Sequence, residues 1–110
     1  MDNFKVEYSF NSLKHVVINL IKNSCAHSGY NIKIEVRAEN NELYFKDYGR
    51  GIKEEIIGKI FDKFFTQSKS GIGIGLSFCK VIMEDIGGSL KCESIEGKYT
   101  TFILKFPKKD

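Results

Sequence analysis

The succession of hydrophobic periodicities predicts an α+β domain: a two-layer α/β sandwich whose mixed, mostly antiparallel sheet of about five strands carries three helices on one face. Three observations lead there. Strand-like alternation recurs in adjacent pairs on both sides of a helical middle, giving the order β-α-β-β-α-α-β-β. A stripe of helical period runs from Leu13 to Ile21, and another follows Gly73. The length, 110 residues, suits one hydrophobic core and not two.

Each element has its own signal. Lys5 to Phe10 alternate and read as a first strand. Asn11 or Ser12 is the expected N-cap of a helix carrying Leu13, Val16, Val17, Leu20 and Ile21, which Ser28-Gly29 should end near His27. Ile32, Ile34 and Val36, then Leu43 and Phe45, form two strands joined by a turn at Glu39-Asn40-Asn41. Lys53 to Phe61 reads as a short helix weakened by Gly58, and Thr66 to Ser70 as a polar loop. From Gly73 onward Ile74, Phe78, Val81, Ile82 and Ile86 keep helical spacing, and Gly87-Gly88 stops the helix. Ser89 to Ser94 and Tyr99 to Phe106 complete a hairpin around Glu96-Gly97-Lys98.

Composition narrows the function. The net charge of +3 is spread along the chain, and its one local excess, Lys105, Lys108 and Lys109, suits a solubilised end better than a nucleic-acid surface. No apolar run approaches the ~18 residues of a membrane span. Met1 to Lys5 lack a secretory layout, so the domain is expected in the cytosol without direct membrane contact. Cys25, Cys79 and Cys92 are odd in number and lack C-x-x-C spacing, as expected of reduced thiols.

Four short segments carry chemistry. Asn19 and Asn23 stand four apart on one helix face, beside the apolar stripe. A carboxamide oxygen is a neutral hard donor suited to one position on Mg²⁺, although the pair alone also fits boundary residues bonded to backbone. Asp47 closes a strand before Gly49 and Gly51; a carboxylate fixed there accepts a hydrogen bond from an exocyclic amine, and the glycines admit a flat ring. Phe61, Phe64 and Phe65 follow i, i+3, i+4 spacing ahead of the polar loop, as core residues or as a hinge. Gly71, Gly73 and Gly75 open the last helix, where backbone N–H groups bind phosphate. Leu76 stands where a dinucleotide fingerprint needs glycine, and no G-x-x-x-x-G-K-[ST] occurs.

In this order the segments resemble the ATP-binding catalytic domain of sensor histidine kinases, within the Bergerat-type group that includes gyrase-like and chaperone ATPases. Asn19 to Asn23 resembles its asparagine box, Asp47 to Ile52 its first glycine box, Ile60 to Thr66 its phenylalanine box and Gly71 to Lys80 its second glycine box. Gly87-Gly88, Ser94, Thr101-Phe102 and Pro107 resemble its closing strands.

The resemblance implies a site for ATP and Mg²⁺. Asn23 becomes the metal ligand, Asn19 and Asn23 the catalytic pair, and Asp47 the reader of the adenine amine. Gly49, Gly51, Ile52, Phe61, Phe65 and Thr66 become nucleotide contacts, as do Lys69, Gly71, Gly73, Gly75 and Leu76. Asn19 falls where gyrase-type members carry a glutamate that activates water. Asparagine cannot be that base, so transfer is left in place of hydrolysis. Ala26 replaces a frequent basic residue, leaving Lys22 and Lys69 as candidate phosphate contacts, and Tyr99 replaces a frequent glycine.

The short lid and the Phe64-Phe65-Thr66 segment lean toward autoinducer-type sensor kinases. His15 precedes Val16 and His27 precedes Ser28, so neither has the acidic follower of a phosphoacceptor. Residues 1–110 therefore read as one catalytic domain. Its partner is a helical dimerisation and phosphoacceptor domain of the same kinase, with a response regulator downstream and no nucleic acid. A membrane anchor elsewhere in the full-length kinase stays open. The alternatives are a serine kinase of the anti-sigma-factor type and a non-catalytic nucleotide-binding or docking module.

Overall fold

The computed structural model describes residues 10–28, 33–62 and 75–107, without the side chains of 10 and 26–28. Its elements are α1 (Phe10–Ser28), β1 (Ile34–Glu39), β2 (Glu42–Asp47), α2 (Glu54–Ile57), α3 (Gly75–Asp85), β3 (Ser89–Ile95) and β4 (Tyr99–Lys105). The sheet order is β1-β2-β4-β3, and all pairings are antiparallel. The α+β class holds. Among the described residues every pairing is antiparallel, in keeping with a mostly antiparallel sheet, and the tight turns of β1–β2 and β3–β4 allow those pairs no other sense. Four strands are described where about five were expected; the expected first strand lies at residues 5–9, outside the described residues, and Phe10 belongs to α1.

Registers sort side chains into an inner and an outer face. One inner row runs Val36, Phe45, Phe102, Cys92; another Ala38, Leu43, Leu104, Leu90; a third Ile34, Asp47, Thr100, Ser94. From the first two rows Phe45, Phe102, Cys92, Leu43, Leu104 and Leu90 supply the sheet side of a core that also holds Val16 and Leu20 from α1, Cys79 and Met83 from α3, and Ile52, Ile60 and Phe106, while Val36 on the edge strand stays exposed. Full burial of each large apolar side chain contributes about 1.5–3 kcal/mol, so Phe102, Leu20, Met83 and Leu104, all nearly inaccessible, anchor the layers. The third row, polar except for Ile34, lies at one end of the core.

The outer face is a charged and aromatic ladder. Arg37 stacks 4.4 Å from the Tyr44 ring, and Lys46 stands 4.5 Å from Tyr99 and 5.0 Å from Tyr48. A groove of about 320 Å³ opens there between Glu35, Arg37, Tyr44, Lys46, Glu93, Tyr99 and Thr101. The register row runs Glu35, Lys46, Thr101, Glu93, so Lys46 stands opposite Glu35 on β1 and Thr101 separates it from Glu93. The groove is on the side of the sheet away from Asp47.

Helix boundaries explain several differences from expectation. Neither Asn11 nor Ser12 caps α1, because the helix already includes Phe10. It is described as far as Ser28; Gly29 of the expected Ser28-Gly29 stop lies outside the described residues. The helix expected over Lys53 to Phe61 shrinks to Glu54–Ile57: Gly58 caps it, and Lys59 and Asp62 continue in turns, bonding to the carbonyls of Ile56 and Lys59. Gly73 and Ile74 fall outside the described residues, so the described α3 starts at Gly75. Its end follows the glycine pair. Gly87 takes φ +84°, its N–H reaches Glu84 O, and the Gly88 N–H reaches Met83 O at 2.8 Å, the Schellman arrangement.

The β1–β2 turn uses Asn40 and Asn41, with φ of 52° and 63°. Both central residues are left-handed, as a two-residue hairpin turn matching strand twist requires. Asn41→Gly is expected to stabilise the domain by about 0.5 kcal/mol, since glycine adopts that conformation without a Cβ penalty. A rise in the urea midpoint at constant slope checks it; a fall would contradict the turn assignment. Among the described residues no helix is long and apolar enough to cross a membrane, and all three cysteines are free.

Candidate functional site

The polar end of the inner face is built around Asp47. The β2 alternation that turns Leu43 and Phe45 inward also turns Asp47 inward, leaving it 5% exposed. A buried carboxylate needs donors, and among the described residues it has two. The Ser24 hydroxyl donates to Oδ2 at 2.8 Å, and the Gly49 N–H donates to Oδ1 at 3.0 Å. The first bond ties α1 to β2; the second curls the following loop back onto the strand end. Each oxygen keeps a lone pair for a further donor.

That loop is held from the opposite side as well. The Ile52 N–H donates to Ser94 Oγ at 2.7 Å, and the Gly97 N–H donates to Arg50 O. Gly51 sits at φ +68° with its Cα against the Ile95 carbonyl, so close that a Cβ would fall 2.2 Å from that oxygen. The Ile52 side chain enters the core. Backbone 49–52 is thus stitched between Asp47 and the β3–β4 hairpin, with no side chain at Gly49 or Gly51 to cover its free surface.

On α1 the i, i+4 row runs from exposed His15 through half-buried Asn19 and Asn23. Val16, Leu20 and Ser24, one position on, form the buried row. Asn23 immediately precedes the serine that holds Asp47. Asn19 lies one helical turn earlier, where α1 meets α3: a Cβ on Gly75 would stand 3.6 Å from Asn19 Oδ1. The Cys79 thiol beneath it donates to Val16 O at 3.7 Å. Burial pushes that thiol up to about 11 against an opposing hydrogen bond from Asn19, so it remains protonated. The Cys92 thiol is pushed up to about 12, first by burial, then by the charges of Asp47 and Glu93. Both are inert packing groups at neutral pH.

The remaining sequence-derived residues divide in two. Phe61 is half-buried, edge-on to Phe102 at 6.4 Å, with Lys80 Nζ 5.5 Å over its ring. Leu76 packs against the core and Lys22 is exposed. His15 meets the Phe78 ring edge at 6.4 Å on the surface. Phe64, Phe65, Thr66, Lys69, Gly71 and Gly73 lie outside the described residues, as do the side chains of Ala26 and His27. Asn19, Asn23, Asp47, Gly49, Gly51, Ile52 and Gly75 do come together around one end of the sandwich.

Sequence reasoning passed over Ser24, Ser94 and Thr100 as site residues. A signal existed for each. Ser24 completes the Val16-Leu20-Ser24 buried row, while Ser94 and Thr100 continue the inward alternation of Leu90-Cys92 and Leu104-Phe102. A hydroxyl on a buried stripe demands a partner.

The donor set also limits what cation would fit. No group of three or more His, Cys, Asp or Glu capable of holding a metal occurs among the described residues. The asparagines offer neutral carboxamide oxygens. A site so constituted fits a cation that completes its octahedron with phosphate oxygens and water, and suits poorly one held by protein alone.

The sequence matches, over residues 9–110, the family described as histidine kinase-, DNA gyrase B- and HSP90-like ATPase. Sensor protein SrrB of Staphylococcus aureus is 39% identical over 111 residues, covering 92% of this chain and 19% of SrrB. This chain thus spans 19% of the length of the curated relatives it matches. Among solved structures, the nucleotide-free catalytic domain of histidine kinase ThkA superposes with a TM-score of 0.75 at 37% identity, covering 94% of this chain and 70% of that one. The mycobacterial sensor histidine kinase MprB shares the fold, with a TM-score of 0.68 at 23% identity over 90% of this chain and 73% of its own.

Proposed function

This chain belongs to the histidine kinase-, DNA gyrase B- and HSP90-like ATPase family, and from that premise we propose that it holds Mg-ATP and delivers the γ-phosphoryl group to a histidine on a separate helical dimerisation domain. Its ATP-binding, kinase-type character follows from the family and from its sensor-kinase relatives. The observation that carries the finer reading is the buried Asp47 carboxylate, fixed by Ser24 and Gly49 beside a glycine loop and one α1 position away from Asn23.

In this reading Asp47 accepts a hydrogen bond from the adenine amine, and the uncovered backbone of Gly49 and Gly51 accommodates the ring face. The base then lies beside Ser24 and the phosphates one turn of α1 away, beside Asn19 and Gly75, the first described residue of α3; the glycines expected to open that helix would offer N–H groups to anionic oxygens. Asn23 supplies one oxygen to the cation that accompanies the phosphates. When bound, Mg²⁺ neutralises charge on those phosphates. Positioning and charge neutralisation are most of what phosphoryl transfer needs.

Asn19 does not abstract a proton from water, and the Cys79 thiol beside it stays protonated, so neither promotes hydrolysis. The nucleotide is held for an acceptor brought by a partner. The sensor-kinase relatives support a histidine acceptor over a serine one.

Titration with a fluorescent ATP analogue, with and without Mg²⁺, tests the reading. Saturable binding below high micromolar nucleotide, strengthened by Mg²⁺, is expected; no binding in that range would overturn it. Asn23→Ala should remove most of the Mg²⁺ enhancement and leave metal-free binding close to that of the unaltered chain. An undiminished enhancement would show that the metal ligand lies elsewhere.

A further inference from the structure

The Ser94 side chain has more hydrogen-bond partners than a strand residue at a hairpin end requires. Its hydroxyl donates to Tyr99 O at 2.6 Å, across its own hairpin. It accepts the Ile52 N–H at 2.7 Å, from the loop that follows Asp47. Thr100 Oγ1 lies 3.1 Å away, and since the single Ser94 proton is committed to Tyr99, Thr100 is the donor in that pair. One proton and two lone pairs are all used. Thr100 is also the register partner of Asp47, so Ser94, Thr100 and Asp47 lie in one inner-face row across β3, β4 and β2.

Loop 49–52 hangs between two side-chain anchors: Asp47 Oδ1 on the Gly49 N–H and Ser94 Oγ on the Ile52 N–H. The Asp47 anchor sits on the proposed base-reading group. The other fixes where the loop backbone stands relative to that group. We propose that Ser94 is a positioning residue for base recognition, its hydroxyl holding the Gly49–Ile52 backbone at the height above Asp47 that admits adenine. This rests on the ATP reading above. Ser94 itself need not touch nucleotide. Its loss acts through the loop: the Ile52 N–H loses its acceptor, while the Gly97 N–H to Arg50 O bond and the Gly51 contact with Ile95 remain. The domain should therefore still fold, with its loop misplaced.

The test compares the unaltered chain with Ser94→Ala and Ser94→Thr, by calorimetric titration of ATP and GTP with Mg²⁺ at low temperature, the folded fraction being set by circular dichroism. Ser94→Ala should weaken ATP binding by about tenfold, as expected for losing one buried acceptor. GTP binding should change much less, so the ATP-over-GTP ratio shrinks. Ser94→Thr, which keeps the hydroxyl, should restore the ratio. A role in general stability would lower both nucleotides together and leave the ratio unmoved, which overturns the proposal; so does a threonine variant as impaired as the alanine one. Amide exchange at Ile52 in the unaltered chain without nucleotide gives a second reading that does not depend on the variants folding. Strong protection is expected, and exchange at the rate of an open loop overturns the proposal. No ATP binding by the unaltered chain would remove the nucleotide reading and this proposal together, whereas ATP binding with an unmoved ratio removes the proposal alone.

Discussion

Asp47→Asn is expected to abolish the preference for ATP over GTP and to weaken ATP binding by on the order of tenfold to hundredfold, the worth of one hydrogen bond to a charged acceptor. The substitution preserves shape but not acceptor count. A carboxylate offers two acceptor oxygens; a carboxamide replaces one with a donor. The Gly49 N–H can only donate, so the amide oxygen must face it. The NH₂ group then faces Ser24, whose hydroxyl can turn and accept. The fold has this compensated arrangement available, and stability should fall by about 1 kcal/mol or less. What disappears is a charged acceptor for an exocyclic amine. Guanine, which presents a carbonyl where adenine presents its amine, loses nothing and can gain a donor. Parallel ATP and GTP titrations with a urea melt separate the two effects. If the Asp47→Asn variant still favoured ATP, the base-reading role would be refuted; if it no longer folded, Ser24 could not have adapted.

The elements whose pattern was periodic were legible from the sequence, and those that depended on a partner were not. The Val16-Leu20 stripe, the Asn40-Asn41 turn, the Gly87-Gly88 stop and the β3–β4 hairpin all follow from local rules, and each recurs in the structure. The overlong second helix failed for a tertiary reason. Ile60 and Phe61 keep helical spacing with Ile56 and Ile57, but Gly58 lets the chain turn, and the turn carries Ile60 into the core and Phe61 against Phe102. At the site, Asp47, Gly51 and the two asparagines stood out because their types are unusual for their positions. Ser24, Ser94 and Thr100 did not, because small hydroxyl residues suit turns, caps and strands alike. Only the register shows that the last two share a row with Asp47. The network that fixes the loop is a property of strand order, and strand order is not local.

Gly51→Ala should be the most damaging of the single-methyl substitutions around the loop, lowering stability by about 3 kcal/mol or more and ATP affinity by more than tenfold. Two costs combine. A left-handed φ of +68° costs an alanine about 1 kcal/mol. The added Cβ would also stand 2.2 Å from Ile95 O, 2.8 Å from Ile95 C and 2.9 Å from Glu96 Cα. These are backbone atoms, and Ile95 is the last residue of β3, so they cannot swing aside as a side chain would. Either the hairpin or the loop must move, and both movements pull at the Gly97 N–H to Arg50 O and Ile52 N–H to Ser94 bonds. Gly97→Ala separates the two costs: Gly97 has φ +81° with no atom within 4 Å of its would-be Cβ, so it carries the conformational penalty alone. Urea denaturation of both variants, with ATP titration of whatever remains folded, gives the comparison. If Gly51→Ala were no more destabilising than Gly97→Ala, the close approach of loop to hairpin would not be what holds the loop. If it lost stability but kept ATP affinity, the position of loop 49–52 would not govern nucleotide binding. The larger expected loss at Gly51 follows from a single requirement: the loop beside Asp47 has to lie within backbone contact of the hairpin, and only glycine permits that.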